Sequence, residues 1–267
     1  MGEKKQYDRK KQLEAFGRLL DIMDELREKC PWDREQTFES IRNNTIEETY
    51  ELADAILKKD MTHIKKELGD LLLHIVFYSK MGSETGAFDI KDVTEAISEK
   101  LIFRHPHVFG DTDVKNNPEI VKRNWEELKI KEGNHSVLGG VPEALPSLIK
   151  ANRIQEKARA VGFDWDKREQ VWDKVEEELI EVKNEIENNN RQKTIAEFGD
   201  LFFSLVNAAR LYDVDPETAL EMTNQKFITR FNYLESKTLK QGRKLKNMTL
   251  DEMNAIWEEA KQADSKE

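Results

Sequence analysis

Apolar residues recur at intervals of three and four along most of the chain. The first such stretch carries Leu13, Phe16, Leu19, Leu20, Met23 and Leu26. This spacing places the apolar side chains on one face of an α-helix. The same pattern predicts further helices at about 41–59, 62–81, 89–102, 118–131, 147–160, 170–188, 194–211, 216–236 and 250–261. No segment alternates with a period of two, so the pattern predicts an all-α fold without a sheet.

Glycine and proline are concentrated in one short segment, between Gly133 and Pro146. Because these residues interrupt helices, the segment indicates a linker. The chain has 267 residues, a length natural for two domains. The predicted organisation is an N-terminal helical domain at 1–132, a linker at 133–147 and a C-terminal helical domain at 148–267.

The second half of the chain repeats the acidic motifs of the first half. The string EETYE at 47–51 reappears as EELIE at 177–181, and ELGD at 67–70 reappears as EFGD at 197–200. Both repeats are shifted by 130 residues. Isolated pairs of glutamates are common in acidic helices. The same acids in the same order and spacing, twice, indicate duplication of one module.

The repeated acids are spaced to share helix faces. In the second copy Glu178 and Glu181 are three residues apart on one helix, and Glu197 and Asp200 are three apart on the next. If these helices form an antiparallel hairpin, the four carboxylates converge, and Gly199 permits a close approach. Carboxylates held this close need a cation, and Mg²⁺, with Mn²⁺ as a substitute, suits oxygen ligands. The corresponding second metal site in the first copy would use Glu48, Glu51, Glu67 and Asp70.

The acidic motifs could also belong to a solvated surface or to a di-iron site. A solvated acidic face accounts better for a single EExxE motif in a chain with 36% charged residues, but not for the duplicated set. A di-iron site requires Glu-x-x-His motifs on facing helices. The string that fits, from Glu132 to His135, lies in the predicted linker, which disfavours iron.

Basic and aromatic residues that follow the acids are candidates for contacts with a polyphosphate or a base. Lys226 and Arg230 are four apart on a predicted helix and would clamp a polyphosphate beside a metal. A surface cation pair accounts for these two residues alone equally well. Lys193 lies at a predicted helix N-terminus, where backbone N–H groups favour anions. Trp257 would stack on a base, although a tryptophan in an amphipathic helix is more often part of a core.

Composition excludes several classes of protein. The net charge of −10 opposes nonspecific coating of nucleic acid, and no apolar run is long enough for a membrane span. The polar start of the chain has no secretory h-region, so we expect a cytoplasmic protein. The single cysteine, Cys30, excludes an intramolecular disulfide framework. The glycine-rich motifs of P-loop and Rossmann nucleotide sites are absent from the sequence.

Together, these motifs resemble the all-α nucleoside triphosphate pyrophosphohydrolases, and in particular the MazG family. The similar strings are CPWD at 30–33, EETYEL at 47–52, ELGDLL at 67–72, RHPHVFG at 104–110, VGFDW at 161–165, EELIE at 177–181, EFGDL at 197–201 and NQKFITR at 224–230. The resemblance covers about residues 19–257. It implies tandem MazG-type helical bundle domains, four-helix-bundle-like on dimerisation. It also implies hydrolysis of nucleoside and deoxynucleoside triphosphates to the monophosphate and pyrophosphate.

The resemblance further implies Mg²⁺ as the cofactor, a homodimer, and a C-terminal copy that carries most of the activity. The implied metal ligands are Glu178, Glu181, Glu197 and Asp200. The residues implied to line the nucleotide site are Lys174, Glu177, Lys193, Lys226, Arg230 and Trp257. Asn207 falls opposite Phe77 of the first copy and would face a nucleotide, which agrees with a catalytic second copy.

The leading hypothesis is a Mg²⁺-dependent pyrophosphohydrolase. A water activated by the metal or by a glutamate would attack in line, and the family places that attack at the α-phosphorus. Glu177 and Glu178 are the candidate catalytic residues, and Glu177 would act outside the first shell of the metal. Two alternatives stay open. One is a module that binds nucleotide, Mg²⁺ or a partner without turnover, and the other is an acidic helical scaffold without a small ligand.

Overall fold

The computed structural model describes residues 8–115 and 136–264, together with residues 117, 120, 121, 124 and 128. These residues form helices joined by turns, and none of them lies in a strand, which confirms the all-α prediction. The chain divides between Asn116 and Asn117 into two compact units. Most of the helix predicted at 118–131 and the first three residues of the predicted linker lie outside the described residues. The boundaries at 1–132, 133–147 and 148–267 stay a prediction.

The first unit contains six helices among its described residues. They are α1 (Arg9–Lys29), α2 (Pro31–Glu35), α3 (Arg42–Leu57), α4 (Met61–Glu84), α5 (Ile90–Arg104) and α6 (Pro106–Phe109). The amide N–H of Cys30 donates to the carbonyl of Leu26 and ends α1. Pro31 then opens α2 at the first helical position, where a missing N–H costs nothing. The short helix α2 has no counterpart among the helices predicted from the sequence.

The second unit contains five further helices in the described part of the chain. They are α7 (Ser147–Ala160), α8 (Val171–Glu187), α9 (Arg191–Leu211), α10 (Pro216–Lys240) and α11 (Leu250–Asp264). Short 3₁₀ turns at Arg168–Gln170 and Leu245–Asn247 precede α8 and α11. In this unit α8 packs along α9, α7 packs against α9 and α10, and α11 packs on α10.

The duplication inferred from the sequence is visible in the backbone of the two central turns. Three residues join α3 to α4, and three join α8 to α9. The middle residue of each turn is left-handed, with φ of 55° at Lys59 and 54° at Asn189. The last residue of each turn, Asp60 or Asn190, caps the next helix by accepting backbone N–H bonds. Each turn therefore reverses the chain, and α3–α4 and α8–α9 are helical hairpins.

Each unit has its own apolar core. The first core lies between α1 and α4 and is formed by Met23, Ile41, Val76, Phe77 and Met81, packed by Phe16, Leu19, Leu20, Leu73 and Tyr78. A core between α10 and α11 of the second unit is formed by Leu234, Met248 and Ile256. The hairpin α8–α9 buries Val171, Val182, Val206 and Ala208.

One face of α9 is apolar and exposed within the single chain. Ile195, Phe198, Phe202 and Leu205 lie on it, and between 39% and 63% of each residue's surface is accessible. Their spacing of three, four and three residues makes a continuous stripe along the helix. None of the described helices has both the length and the apolar composition that a membrane span requires.

Candidate functional site

The two hairpins bring the predicted acids together. In the second unit Glu178 of α8 meets Glu197 and Asp200 of α9, and one oxygen from each carboxylate lies within 4.8 Å of the others. In the first unit Glu48, Glu67 and Asp70 form the same arrangement, under the same limit of distance. Three of the four predicted ligands therefore converge in each copy. Glu181 and Glu51 are not members of these groups of three.

Glu181 and Glu51 nevertheless lie close enough to the other acids to interact with them electrostatically. Burial raises the pKa of Glu181, and the negative charges of Glu178, Glu197 and Glu177 raise it further. In the first unit, burial is also the largest cause of the raised pKa of Glu48, followed by the charges of Asp70, Glu51 and Glu67. In each copy, burial and then the neighbouring negative charges oppose the ionisation of one carboxylate in or beside the cluster.

A lysine partly neutralises each cluster, but it comes from a different helix in the two copies. In the second unit Lys174 of α8 lies 2.7 Å from Glu178 and 2.9 Å from Glu177. In the first unit Lys66 of α4 lies 3.0 Å from Glu67 and 3.4 Å from Asp70. Hydrogen bonds to Glu178 and then to Glu177 raise the pKa of Lys174, so the lysine stays charged.

Some carboxylate oxygens of the clusters do not contact a lysine, and their surroundings indicate whether a cation fits. Glu178 is 5% exposed, and its Oε2 atom is buried without a hydrogen-bond partner in the described part of the chain. Glu48 has a buried Oε2 atom in the same condition. A buried carboxylate oxygen without a partner is costly in free energy. A divalent ion with a preference for oxygen ligands would remove that cost, so the residues of both clusters fit such an ion.

The other predicted site residues are spread over the second unit. Lys174 contacts the cluster through Glu178, and Glu177 contacts Lys174. Lys193 lies one turn before Glu197 on α9, and its ammonium is 3.7 Å from Glu185, toward the hairpin turn. On α10 Lys226 is exposed and Arg230 is half-buried. On α11 Trp257 packs against Phe227, with ring centroids 5.0 Å apart. The assignment of these four residues, on α9, α10 and α11, to the nucleotide stays a prediction.

Asn207 belongs to a hydrogen-bonded network that the sequence did not reveal. Arg210, one turn further along α9, donates to Asn207 Oδ1 through Nε at 3.1 Å and Nη2 at 2.6 Å. The same guanidinium binds both carboxylate oxygens of Asp164, at 3.2 and 2.5 Å. Burial alone would raise the pKa of Asp164, but bonds from Arg210 and from the amide of Trp165 lower it overall. The network fixes the loop before α8 to α9.

In the first copy, the position equivalent to Asn207 is occupied by a buried apolar side chain. Phe77 lies there, is 4% exposed and belongs to the core. The guanidinium of Arg27 covers its ring at 5.5 Å from the centroid. Lys80, opposite Arg210, pairs with Asp24 of α1 at 2.6 Å. The polar difference predicted from the sequence is therefore also a difference in packing.

One expectation about the hairpin is wrong. A Cβ atom built on Gly199 meets nothing within 4 Å, and neither does one built on Gly69. These glycines are not required for a close approach of the two helices within one chain.

Comparison with known proteins identifies the family. A family model described as the MazG nucleotide pyrophosphohydrolase domain matches the chain twice, at residues 36–109 and 167–234. This chain belongs to the MazG family. Each MazG match includes one complete hairpin with its acidic cluster, so the duplication found in the sequence is a duplication of the MazG domain.

Several named proteins are similar to this chain, two of them over nearly its whole length. The nucleoside triphosphate pyrophosphohydrolase/pyrophosphatase MazG of Thermotoga maritima is 44% identical over 254 residues, covering 93% of this chain and 96% of the relative. The nucleoside triphosphate pyrophosphohydrolase of Escherichia coli K12 is 42% identical over 258 residues, covering 93% of this chain and 98% of the relative. A nucleoside triphosphate pyrophosphohydrolase of Mycobacterium tuberculosis is 34% identical over 152 residues, covering 55% of this chain and 46% of the relative.

Proposed function

We propose that this protein is an enzyme that hydrolyses nucleoside and deoxynucleoside triphosphates to the monophosphate and pyrophosphate, with Mg²⁺ as its cofactor. Membership of the MazG family and the names of the relatives support the reaction. The observation that carries the assignment to a site is the group of Glu178, Glu197 and Asp200, in which a buried carboxylate oxygen has no partner among the described residues.

The residues of the second cluster have distinct roles in this proposal. Glu178, Glu197 and Asp200 would hold Mg²⁺, and Glu181 would complete the ligand set. When bound, Mg²⁺ supplies positive charge that neutralises the triphosphate and polarises a phosphoryl oxygen. Mn²⁺ has the same preference for oxygen ligands and would substitute for it.

Glu177 and Lys174 act beside the ligands. The Glu177 side chain is 55% exposed and lies outside the group of three carboxylates, so it is placed to accept a proton from an attacking water. The ammonium of Lys174 is held between Glu177 and Glu178 and would donate to a phosphate oxygen. Lys193, Lys226 and Arg230 would contact the phosphates.

The second copy is proposed as the main catalytic one. Asn207 offers hydrogen-bonding groups where the first copy has the buried ring of Phe77. The first cluster, with Glu48, Glu67, Asp70 and its neighbour Glu51, would bind a cation as a second site. Its orphaned Glu48 oxygen supports this assignment.

The proposed assembly is a homodimer, and the proposed compartment is the cytoplasm. The exposed stripe of Ile195, Phe198, Phe202 and Leu205 supports the dimer, because pairing with a second copy would remove this apolar area from water. Pairing of two hairpins would complete a four-helix bundle. Sedimentation equilibrium tests this assignment, and a monomer at all concentrations would exclude it.

The decisive experiment is product analysis. The purified chain is incubated with Mg²⁺ and a panel of nucleoside and deoxynucleoside triphosphates, and the products are separated by ion exchange. We expect monophosphate and pyrophosphate, and we expect Glu178→Gln to abolish their formation while its circular dichroism spectrum is unchanged. Diphosphate and orthophosphate would overturn the proposed reaction. Thermal stabilisation by Mg²⁺ and nucleotide without any product would support a binding module instead.

A further inference from the structure

The acidic cluster of the first unit already contains a positive charge from the chain itself. The ammonium of Lys66 lies 3.0 and 3.2 Å from the two carboxylate oxygens of Glu67, and 3.4 Å from an oxygen of Asp70. Glu67 is only 3% exposed, so both oxygens of a buried carboxylate are engaged. Lys66 therefore contacts two of the three carboxylates that a divalent ion would need as ligands in this cluster.

The third carboxylate of the first cluster also interacts with this lysine. Burial is the largest cause of the raised pKa of Glu48, the neighbouring acids add to it, and the charge of Lys66 acts in the opposite direction. Among the described residues, Lys66 pairs with no acid outside the cluster. Its ammonium thus acts on all three carboxylates and is a counterion for the group as a whole.

The lysine of the second cluster leaves more of its carboxylate oxygens available to a cation. Lys174 contacts Glu178 through Oε1 at 2.7 Å, while Glu178 Oε2 is buried without a partner in the described part of the chain. Lys174 also lies 2.9 Å from Glu177, which is not a member of the group of three carboxylates. An ion bound to Glu178 would therefore leave Lys174 with an acidic partner.

The two lysines occupy positions that are not equivalent in the duplicated hairpins. The shift of 130 residues that relates the copies places Ala196 at the position of Lys66, and Asn44 at the position of Lys174. Ala196 is exposed on α9, directly before Glu197. The two clusters therefore have the same acids but differ in how many of them a lysine contacts.

From this geometry we infer that Lys66 is the internal counterion of the first cluster and makes it a weaker site for divalent cations than the second cluster. A cation that coordinates Glu67 and Asp70 must displace the ammonium from both, since two positive charges this close repel each other. Once displaced, Lys66 has no other acidic partner among the described residues. As the cation concentration rises, the second cluster therefore fills first. The inference rests on the proposed function and adds an order of occupancy to its two cation sites.

The test measures cation binding directly, with Mn²⁺ as the probe and without nucleotide. Free Mn²⁺ is followed by electron paramagnetic resonance, which gives the number of ions bound and their dissociation constants. The variant Glu178→Gln isolates the first cluster, and Glu48→Gln isolates the second. We expect the first cluster to bind Mn²⁺ about tenfold more weakly than the second, because binding there breaks two charge pairs.

Removal of the lysine should strengthen the first site. Added to Glu178→Gln, the change Lys66→Met should lower the dissociation constant for Mn²⁺ about tenfold. Lys66→Arg keeps the positive charge and should keep the weak affinity. Lys65→Met removes the same charge from an exposed neighbouring position and is the matched control. It should change the dissociation constant by less than about twofold, because a distant exposed charge is screened by salt.

The reciprocal change places a lysine in the second cluster. Added to Glu48→Gln, the change Ala196→Lys should weaken Mn²⁺ binding about tenfold. Gln192→Lys adds the same charge at another exposed position of α9, one turn earlier, and should have little effect. If Lys66→Met does not fold, as judged by circular dichroism, this pair decides the inference, and equal affinities overturn it.

The outcomes distinguish the inference from the proposed function. Equal effects of Lys66→Met and Lys65→Met overturn the role of Lys66, while the proposed hydrolysis stands. A first cluster that binds no Mn²⁺ in either the presence or the absence of Lys66 overturns it as well. If the Glu48→Gln protein binds no Mn²⁺, the proposed cofactor site at the second cluster fails, and the comparison of Lys66→Met with its control still decides the inference.

Discussion

The substitution Glu178→Gln should distinguish the effect of the acidic cluster on folding stability from its capacity to bind a cation. Glu178 lies within 4.8 Å of the oxygens of Glu197 and Asp200. At an effective dielectric constant of about 20, each repulsion is worth at least about 3.5 kcal/mol, so the variant gains at least about 7 kcal/mol. It loses the attraction of Lys174 at 2.7 Å, which on the same scale is about 6 kcal/mol. The two effects nearly cancel, so we expect the metal-free variant to be about as stable as the wild type.

The difference should appear only when Mg²⁺ is added. At a Mg²⁺ concentration of about 100 times the wild-type dissociation constant, binding stabilises the folded state by about 2.7 kcal/mol. For a unit of this size that raises Tm by about 5–11 °C. If loss of one charged ligand weakens binding about 100-fold, the stabilisation falls to about 0.4 kcal/mol and the shift to about 1–2 °C.

The assay is a calorimetric melt with and without Mg²⁺. The reference protein and the Glu178→Gln variant both carry Glu48→Gln as well, so that Mg²⁺ bound at the first cluster does not raise Tm in either of them. Glu176→Gln changes an exposed glutamate on the same helix and is the matched control. A full Mg²⁺ shift in the Glu178→Gln protein would show that the cation does not bind at this cluster. An equal loss in the control would show that the effect is nonspecific.

Three further predictions follow from contacts in the two units. Lys174→Met should raise the affinity for Mg²⁺ measured by calorimetry without nucleotide, because no ammonium then competes for the carboxylates; a lower affinity would contradict this competition. Asp164→Asn should destabilise the chain by about 3 kcal/mol at pH 7 in urea unfolding. The folded-state pKa of Asp164 is lowered, so its ion pair with Arg210 stabilises the protein fully above about pH 4 and is lost as the pH falls through that pKa. The unfolding free energies of the wild type and the variant should therefore converge in acid. A difference that persists in acid would refute the ion pair as the cause. Gly82→Ala should destabilise the protein by about 1–3 kcal/mol, because the new Cβ would lie 2.8 Å from the carbonyl oxygen of Phe88. Gly69→Ala should stabilise it by up to about 1 kcal/mol, because a Cβ at this position meets no atom within 4 Å and alanine favours the helix. Equal effects of the two changes in thermal melts would contradict this contrast.

Much of the fold and most of the acidic cluster were predictable because both depend on local spacing. Apolar residues three and four apart define helices, and the acids at 178, 197 and 200 converge once a short turn folds two of these helices together. The turn itself carries a sequence signal, since Asn189 adopts a left-handed conformation that asparagine tolerates and Asn190 caps the next helix.

The rest depends on contacts between distant segments, which the spacing of residues does not encode. Asp164 and Arg210 are 46 residues apart, and the pattern around each of them is that of an ordinary charged residue. The hydrogen bond from Gln155 Nε2 to the carbonyl of Phe203 likewise joins residues that are 48 positions apart. The role assigned to Gly199 failed for a related reason, since composition does not show which face of a helix meets its neighbour.

The three-residue turn of each hairpin also bears on how the protein folds and how it arose. All carboxylates of one cluster come from a single local segment, so their assembly requires only the closure of a short loop, at a small entropic cost. Contacts so close in sequence form early in folding, and we expect each hairpin to assemble before α10 and α11 dock on the second unit. A single duplication of such a segment copies every carboxylate of the cluster at once. Both copies would therefore start with the same set of acids, and a substitution such as the one that distinguishes Asn207 from Phe77 changes only the surroundings of the cluster.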